Sequence, residues 1–313
     1  MERGALSVAS AGAKLSLLSG VIEEGASRPL LSQQRGVHMN RLRSLTFVII
    51  LVISSAAASA QLHVRARPAG NAKPAAAGQM VTLPYTVNDS AGNQWLIYQG
   101  GWIQQRSNPP VFSQSAMLQL NNNGVSNNNN QARLDEHTGE VVFDNMAVNV
   151  PSLTVTRRIL VDQNESYVRY IDILKNSGQQ DQSVNYMLQS NLNFGLTGSQ
   201  FITEPGGKQR QLGWAAATQA GRSAVELFAG RGGKTIPQLN YQQGSNFIQA
   251  QMQVTIPAGK QIAIMHLHAT CATPDAGIQQ MTSLREARLL AGVSGELRRQ
   301  IINFSGGGGY VGD

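Results

Sequence analysis

His266 and His268 stand two residues apart in a run, Gln261 to Ala269, that alternates like a β-strand. At i and i+2 on a strand two imidazoles point to the same side, and two imidazoles on one side can share a metal ion. A third ligand would have to come from His137, Asp135 or Glu136, distant in the chain and at no diagnostic spacing. The plainer chemistry is that the pair continues the row of Ile262 and Ile264 toward a sheet edge and is hydrogen-bonded there. A metal centre needs a further ligand and an ordered outer shell, so no metal and no cofactor are expected, and the histidines are expected to be structural. Arg157 and Arg169 lie on two other alternating runs. If they met His266 and His268 in one pocket, the cluster would serve an enzyme acting on carbohydrate. Trp95, Tyr98, Trp102 and Trp214 could stack on sugar rings while Asn and Gln satisfy hydroxyls. Aromatic side chains also supply much of a core's buried area, which is the expectation for most of the four. The candidate ligand-binding residues are therefore Arg157, Arg169, His266, His268, Trp95 and Trp102, and no residue is singled out as catalytic.

Other patterns carry less. Asp135, Glu136, His137, Glu140 and Asp144 are oxygen-rich, as calcium sites are, but the regular calcium-loop order is missing and a solvated hairpin tip is expected. Gly230-Arg231-Gly232-Gly233-Lys234-Thr235 ends like a phosphate loop, yet Phe228 occupies the position where that frame needs its first glycine. A tight turn is the better reading. No G-x-S-x-G elbow and no H-E-x-x-H occurs. Paired carboxylates for glycoside hydrolysis come from distant strands, so spacing neither finds nor excludes them.

These residues are positioned by short apolar runs broken by Asn, Gly, Gln and Pro, the pattern of an all-β sandwich. Strands are expected at Trp95 to Gln99, Ala116 to Leu120, Glu140 to Phe143, Leu153 to Val161, Tyr167 to Leu174 and Ser183 to Leu192. Others follow at Gly213 to Thr218, Ser223 to Phe228, Phe247 to Ile256 and Gln261 to Ala269. The last two, joined at Pro257-Ala258-Gly259, read as an antiparallel hairpin. Asn121 to Gln131 reads as a hydrated loop outside the core. The period then changes. Thr273-Pro274-Asp275 combines a hydroxyl N-cap, proline at N1 and an acid in the first turn. Gly292 is a helix stop, and Ser294 caps a second helix, Gly295 to Ile302.

Three segments carry a resemblance. They are Tyr167-Val168-Arg169-Tyr170-Ile171-Asp172-Ile173-Leu174-Lys175-Asn176, then Asn185 to Leu192, then Ile256-Pro257-Ala258-Gly259-Lys260 with Ile264-Met265-His266. In this order they resemble uncharacterised secreted β-sandwich domains of bacterial surface proteins, planctomycete-type exported proteins among them, over roughly Trp95 to Phe304. Some related sandwiches resemble the galactose-mutarotase superfold. The resemblance implies a fold and transfers no catalytic residue.

Met39 to Gln61 has the layout of a secretory signal peptide. Arg41 and Arg43 form a basic start, Leu45 to Ile53 an apolar run, and Ala58-Ser59-Ala60 a small-residue cleavage site. The apolar run is shorter than the ~20 residues of a relaxed membrane span. The layout places the start of translation at Met39 and makes residues 1–38 a doubtful extension. The other reading is a long n-region with an uncleaved N-terminal anchor, the one case in which a membrane is a partner. Cleavage leaves a flexible leader (61–80), a single β-sandwich domain with C-terminal helices (81–304) and a glycine-rich tail (305–313). Part of the net charge of +7 precedes Gln61. What remains has sparse charge and much Asn and Gln, without the basic cluster a nucleic acid needs. Cys271 is the only cysteine, so packing alone holds the fold, and it is expected to behave as a buried apolar residue.

The fold class expected is all-β, mainly an antiparallel sandwich or supersandwich, with a C-terminal helical segment. The function expected is a secreted or periplasmic, non-enzymatic domain that binds or scaffolds at the cell envelope, with a carbohydrate or an envelope protein as partner. The alternative is a carbohydrate-active enzyme of mutarotase, lyase or hydrolase type.

Overall fold

A computed structural model describes residues 78–106, 109–204 and 210–305. The expected extension, signal segment and most of the leader and tail lie outside the described residues. Seventeen strands come first. They are β1 Gln79–Thr82, β2 Tyr85–Asn88, β3 Gln94–Ile97, β4 Ile103–Gln105, β5 Phe112–Leu120, β6 Asn123–Gly124, β7 Gln131–Asp135, β8 Glu140–Met146 and β9 Leu153–Asp162. Then follow β10 Tyr167–Asn176, β11 Gln182–Leu192, β12 Leu196–Thr203, β13 Gln211–Thr218, β14 Ser223–Leu227, β15 Gln238–Tyr241, β16 Phe247–Ile256 and β17 Gln261–Cys271. Three helices close the described chain: α1 Pro274–Ser283, α2 Glu286–Leu289 and α3 Gly295–Gln300.

The large sheet has the order β1-β7-β8-β9-β10-β17-β14-β13-β12, and the small sheet β15-β16-β11-β5-β4-β3-β2, with β6 beside β5. All pairings between named strands are antiparallel. One face of each sheet builds a shared core that includes Ile97, Phe112, Val155, Tyr170, Tyr186, Ile248 and Ile264. The other face of the large sheet packs under the helices in a second core with Ile171, Leu267, Met281, Leu289 and Leu297. The central strands β10 and β17 are thus buried on both faces, which explains why their apolar residues form nearly unbroken runs. The protein is an all-β sandwich with a C-terminal helical segment. Its helix signals act as expected: Thr273 Oγ1 accepts from Ala276 N at 3.2 Å, and Ser294 Oγ from Leu297 N at 3.2 Å.

Several expectations need correction. β16 and β17 are not a hairpin. β16 pairs with β11 and β15, β17 with β10 and β14, and the turn at Pro257 crosses between sheets. Their alternation is the same either way, but the apolar row of β16 and the Ile262–Ile264 row of β17 bury better facing each other across the core than side by side. β17 also lies centrally in its sheet, so His266 and His268 are not near an edge. The Asn-rich segment contains β6, and its Val125 is 6% exposed and part of the main core. β1 begins at Gln79, two residues inside the expected leader, because it pairs with β7. Cys271, expected to be buried, is only partly so, and its Sγ donates to Gln280 Oε1 at 3.0 Å.

Candidate functional site

The sequence candidates fall into four separate places. Arg157, His266 and His268 come together, fully buried, where the two sheets face each other. The antiparallel register sets Asp172 opposite both Arg157 and Ile264, His266 opposite Tyr170, and Glu226 opposite His268. Arg157 donates from Nε to Asp172 Oδ1 at 2.6 Å and from Nη2 to Oδ2 at 2.8 Å, and Tyr186 OH donates to Oδ2 at 2.6 Å. His266 Nε2 lies 3.3 Å from Asp172 Oδ2, and its Nδ1 lies 2.7 Å from His268 Nε2. His268 Nδ1 is 2.8 Å from Glu226 Oε1 and 2.9 Å from Ser115 Oγ.

Burial favours neutral groups, and the partners decide which ones stay charged. Burial pushes the Asp172 carboxyl up, but the Arg157 charge and its hydrogen bonds outweigh this and hold it well below the usual carboxylate range. Burial likewise pulls Arg157 down, yet Asp172 keeps its guanidinium above its ordinary value. Burial, only partly offset by Asp172, lowers His266 to about 3. Burial raises the Tyr170 and Tyr186 phenols. The His266 ring stacks on Tyr170, centroids 4.6 Å apart. Among the described residues no group of three or more His, Cys, Asp or Glu side chains is arranged to hold a metal ion. The ring nitrogens here face one another and two carboxylates in a line, whereas metal ligands converge on a point.

This network also braces a bulge. Ser115 and Ala116 of β5 together oppose Ser190 of β11, and Ala116 takes a φ of 62°. Both backbone groups of Ala116 are met by buried side chains. Its N–H donates to Ser190 Oγ at 3.0 Å, and its carbonyl accepts from Arg157 Nη1 at 2.6 Å.

Arg169 is elsewhere. One residue from Tyr170, it points to the helix side, where Nη2 donates to Glu140 Oε1 at 2.6 Å and Nη1 to the carbonyls of Leu289 and Ala291. Glu140 also pairs with Arg158 and is fully buried. The expected solvated tip is therefore wrong for this residue, because two guanidinium groups hold it inside. The four groups required for an enzyme pocket do not share one. A cleft of about 420 Å³, lined by residues such as Tyr85, Leu134, Val161 and Asp162, contains none of them.

Trp95 is fully buried, its Nε1 donating to Asp89 Oδ2 at 2.8 Å. Trp102 is only half-buried and stacks on Tyr98, centroids 4.1 Å apart and 8° from parallel. Tyr98 OH donates to Gln104 Oε1 at 2.8 Å. This pair stands on the face of the small sheet that points away from the core, and strand alternation continues that face with amides. Gln249 Nε2 donates to Gln189 Oε1 at 3.0 Å, Gln189 Nε2 to Asn191 Oδ1 at 3.0 Å, and Asn191 Nδ2 to Gln114 Oε1 at 3.1 Å. The pairing of Ile103 with Ser115 puts Gln104 next to Gln114 in the register. Beyond the row, Gln251 Nε2 donates to Gln238 Oε1 at 3.2 Å, and Phe247 stands 40% exposed beside Gln249. An uncharged row of amides thus crosses the small sheet from β4 to β16. Each amide carries two donor hydrogens and two acceptor lone pairs, so its side facing solvent keeps capacity for a hydroxyl.

Sequence reasoning missed Asp172, Glu226, Ser115 and Ser190. A lone acid inside an apolar strand, as in Tyr170-Ile171-Asp172-Ile173-Leu174 and Ala224-Val225-Glu226-Leu227, was the available signal, since such a residue needs a buried partner. The amide row was also visible as the period-2 glutamines Gln249, Gln251 and Gln253 of β16.

No family model matches the chain, and no curated protein matches it. Among solved structures it is similar to a mutant of the heparan sulfate lyase HepC from Pedobacter heparinus, at TM-score 0.41 and 11% identity, over 60% of this chain and 35% of that one. It is also similar to the Slr1438 protein from Synechocystis sp. PCC 6803, at TM-score 0.37 and 8% identity, over 64% of this chain and 100% of that one. A third is the heparinase III BT4657 gene product, at TM-score 0.38 and 10% identity, over 61% of this chain and 35% of that one. The chain spans about a third of the length of the two heparin-related structures.

Proposed function

We propose that this chain is an exported, non-enzymatic β-sandwich module of the cell envelope that binds an uncharged polysaccharide on the outer face of the small sheet. The amide row Gln114–Asn191–Gln189–Gln249 carries the reading, with the Tyr98–Trp102 stack at its end. Amides both give and accept hydrogen bonds, as sugar hydroxyls do, and an aromatic face suits the apolar side of a pyranose. None of these side chains is charged, so an acidic polymer gains no ion pair here. Export rests on the Met39 to Gln61 layout.

Affinity electrophoresis through gels containing laminarin, dextran or hydroxyethylcellulose, with alginate as the acidic control, tests the proposal. At least one neutral polymer should retard the protein. The Gln189→Ala/Gln249→Ala variant should bind about tenfold more weakly, since two lost hydrogen bonds are worth roughly 1–3 kcal/mol. Retardation by alginate alone, or by none of the four, would overturn the reading. Release of reducing sugar from any of them would replace it with a carbohydrate-active enzyme of hydrolase type, and release of unsaturated sugar with one of lyase type.

A further inference from the structure

The line Asp172–His266–His268–Glu226 contains three close contacts between heteroatoms, at 3.3, 2.7 and 2.8 Å. Each needs one hydrogen, because two facing lone pairs repel. Two neutral imidazoles carry two. The direction of each link follows from its ends. Asp172 is already an acceptor from Arg157 and Tyr186, so His266 Nε2 must donate to it. If His266 is otherwise neutral, its Nδ1 accepts and His268 Nε2 donates. At the far end Glu226 Oε1 accepts from Ser190 Oγ at 2.6 Å and from Ser115 Oγ at 3.3 Å. Ser190 is free to donate because its oxygen takes the Ala116 N–H. The short bond from Ser190 favours the carboxylate over the acid, so His268 Nδ1 donates as well. Ser115 Oγ, 2.9 Å from that nitrogen and 3.0 Å from Ser190 Oγ, accepts from the ring and turns its one hydrogen toward the Ser190–Glu226 side.

We propose that His268 is held inside the sandwich as an imidazolium ion-paired with Glu226, while His266 beside it stays neutral with its proton on Nε2. The charge count agrees. Arg157 balances Asp172, and His268 balances Glu226. Without the extra proton this fully buried site would carry one uncompensated negative charge, which a low-dielectric interior does not tolerate. Among the described residues the groups on the line are Arg157 from β9, Asp172 and Tyr170 from β10, Tyr186 and Ser190 from β11, Ser115 from β5 and Glu226 from β14. The next charges along the row, Arg222 and Asp89, have opposite signs and both bond to Asn93. A positive ring at His268 disfavours a second charge on His266 beside it.

The proton therefore joins the sheets. Glu226 and His268 belong to the large sheet, and Ser115 and Ser190, which they hold, form the bulge of the small one. Gln114, Gln189 and Asn191 of the amide row are the immediate chain neighbours of those two serines. Removing the partner of that proton, as Glu226→Gln does, should loosen the bulge and shift that row. This consequence rests on the binding reading above, whereas the protonation state does not.

Long-range ¹H–¹⁵N correlation spectra of histidine-labelled protein at pH 8 decide it without any ligand. Exposed histidines are neutral there. One ring should show both nitrogens protonated, with through-space contacts to Phe112 and Phe228, whose ring centroids lie 6.2 and 6.0 Å from that of His268. A second buried ring should show a proton on Nε2 only. In Glu226→Gln the first ring should fall to a single proton. Two neutral buried rings in the native protein would overturn the proposal, including the case in which Glu226 holds the proton. Should the variant not fold, the native spectrum suffices. Loss of polysaccharide binding with the imidazolium intact would count against the binding reading alone.

Discussion

Replacing Arg157 with Met should destabilise the protein by about 4 kcal/mol. The guanidinium makes four hydrogen bonds inside the sandwich: two to Asp172, one to Ala116 O and one at 3.2 Å to Gly101 O. Methionine fills much of the volume but donates nothing. Asp172 would remain buried with only Tyr186 and His266 as donors, and the bulge carbonyl would lose its partner. Breaking a buried ion pair by removing one member costs about 3–5 kcal/mol, because the remaining charge is uncompensated. A stranded buried carbonyl costs about 1–3 kcal/mol, part of which is contained in that figure. For a chain of this size each kcal/mol corresponds to roughly 2–4 °C in Tm, so calorimetry should show a fall of about 8–16 °C. The companion variant Arg157→Met/Asp172→Asn removes the stranded charge while keeping an acceptor for Tyr186 and His266. It should recover about half of the loss. A single variant within about 1 kcal/mol of the native protein, or a double variant less stable than the single, would refute the account of Arg157 as the counter-charge of Asp172.

Stability should fall on acidification in two overlapping stages. His266 has a depressed pKa in the fold, so its contribution is complete above about pH 6.5 and drains away as the pH falls toward 3. At about 1.4 kcal/mol per unit that shift is worth at most roughly 5 kcal/mol. Asp172, also depressed, adds a loss in the same direction below about pH 4. Urea midpoints measured from pH 7 to pH 4 should decline steadily, and a flat profile would show that His266 is not kept neutral. Glu140→Gln should cost about 2–3 kcal/mol, since the buried Arg169 loses its carboxylate and Arg158 keeps only the longer Asp135 contact, while the amide retains one acceptor. Amide exchange should then quicken around Leu289 and Ala291, whose carbonyls Arg169 holds. Unchanged exchange there would mean that the arginine holds the helix segment without Glu140.

What the sequence made legible was local. Period-2 runs marked β9, β10, β11, β16 and β17, and hydroxyl caps at Thr273 and Ser294 marked two helix starts, because both signals depend on residues a few positions apart. Which strand pairs with which was not legible. β16 and β17 have the right turn for a hairpin, but the turn at Pro257 serves a crossover equally well, and only partners from distant segments distinguish the two. The polar site suffered in the same way. His266 and His268 advertised themselves by spacing, whereas Asp172 and Glu226 are single acids whose meaning depends on strands β10 and β14 flanking β17. Glu140 looked like part of an acidic surface tip because four other acids or histidines surround it in the chain, and the arginines that bury it lie 18 and 29 residues away.

The buried charges also address a problem that the apolar pattern leaves open. A strand with one wet face has its register fixed, since a slip of one residue turns its apolar row to water. β10 has no wet face: Tyr167, Val168, Tyr170 and Ile171 are all fully buried. Slipping β10 by one residue would exchange one apolar row for another at little hydrophobic cost. It would, however, carry Asp172 to the helix side and Arg169 into the sandwich. Arg157 would then face no carboxylate, and Glu140 would lose one of its two arginines. Each mismatch strands a buried charge and costs several kcal/mol, more than the overpacking a slip would bring. The ion pairs on the two faces of β10 thus distinguish the observed register from its nearest competitor. That makes them worth their desolvation even where an apolar pair would match their net stability.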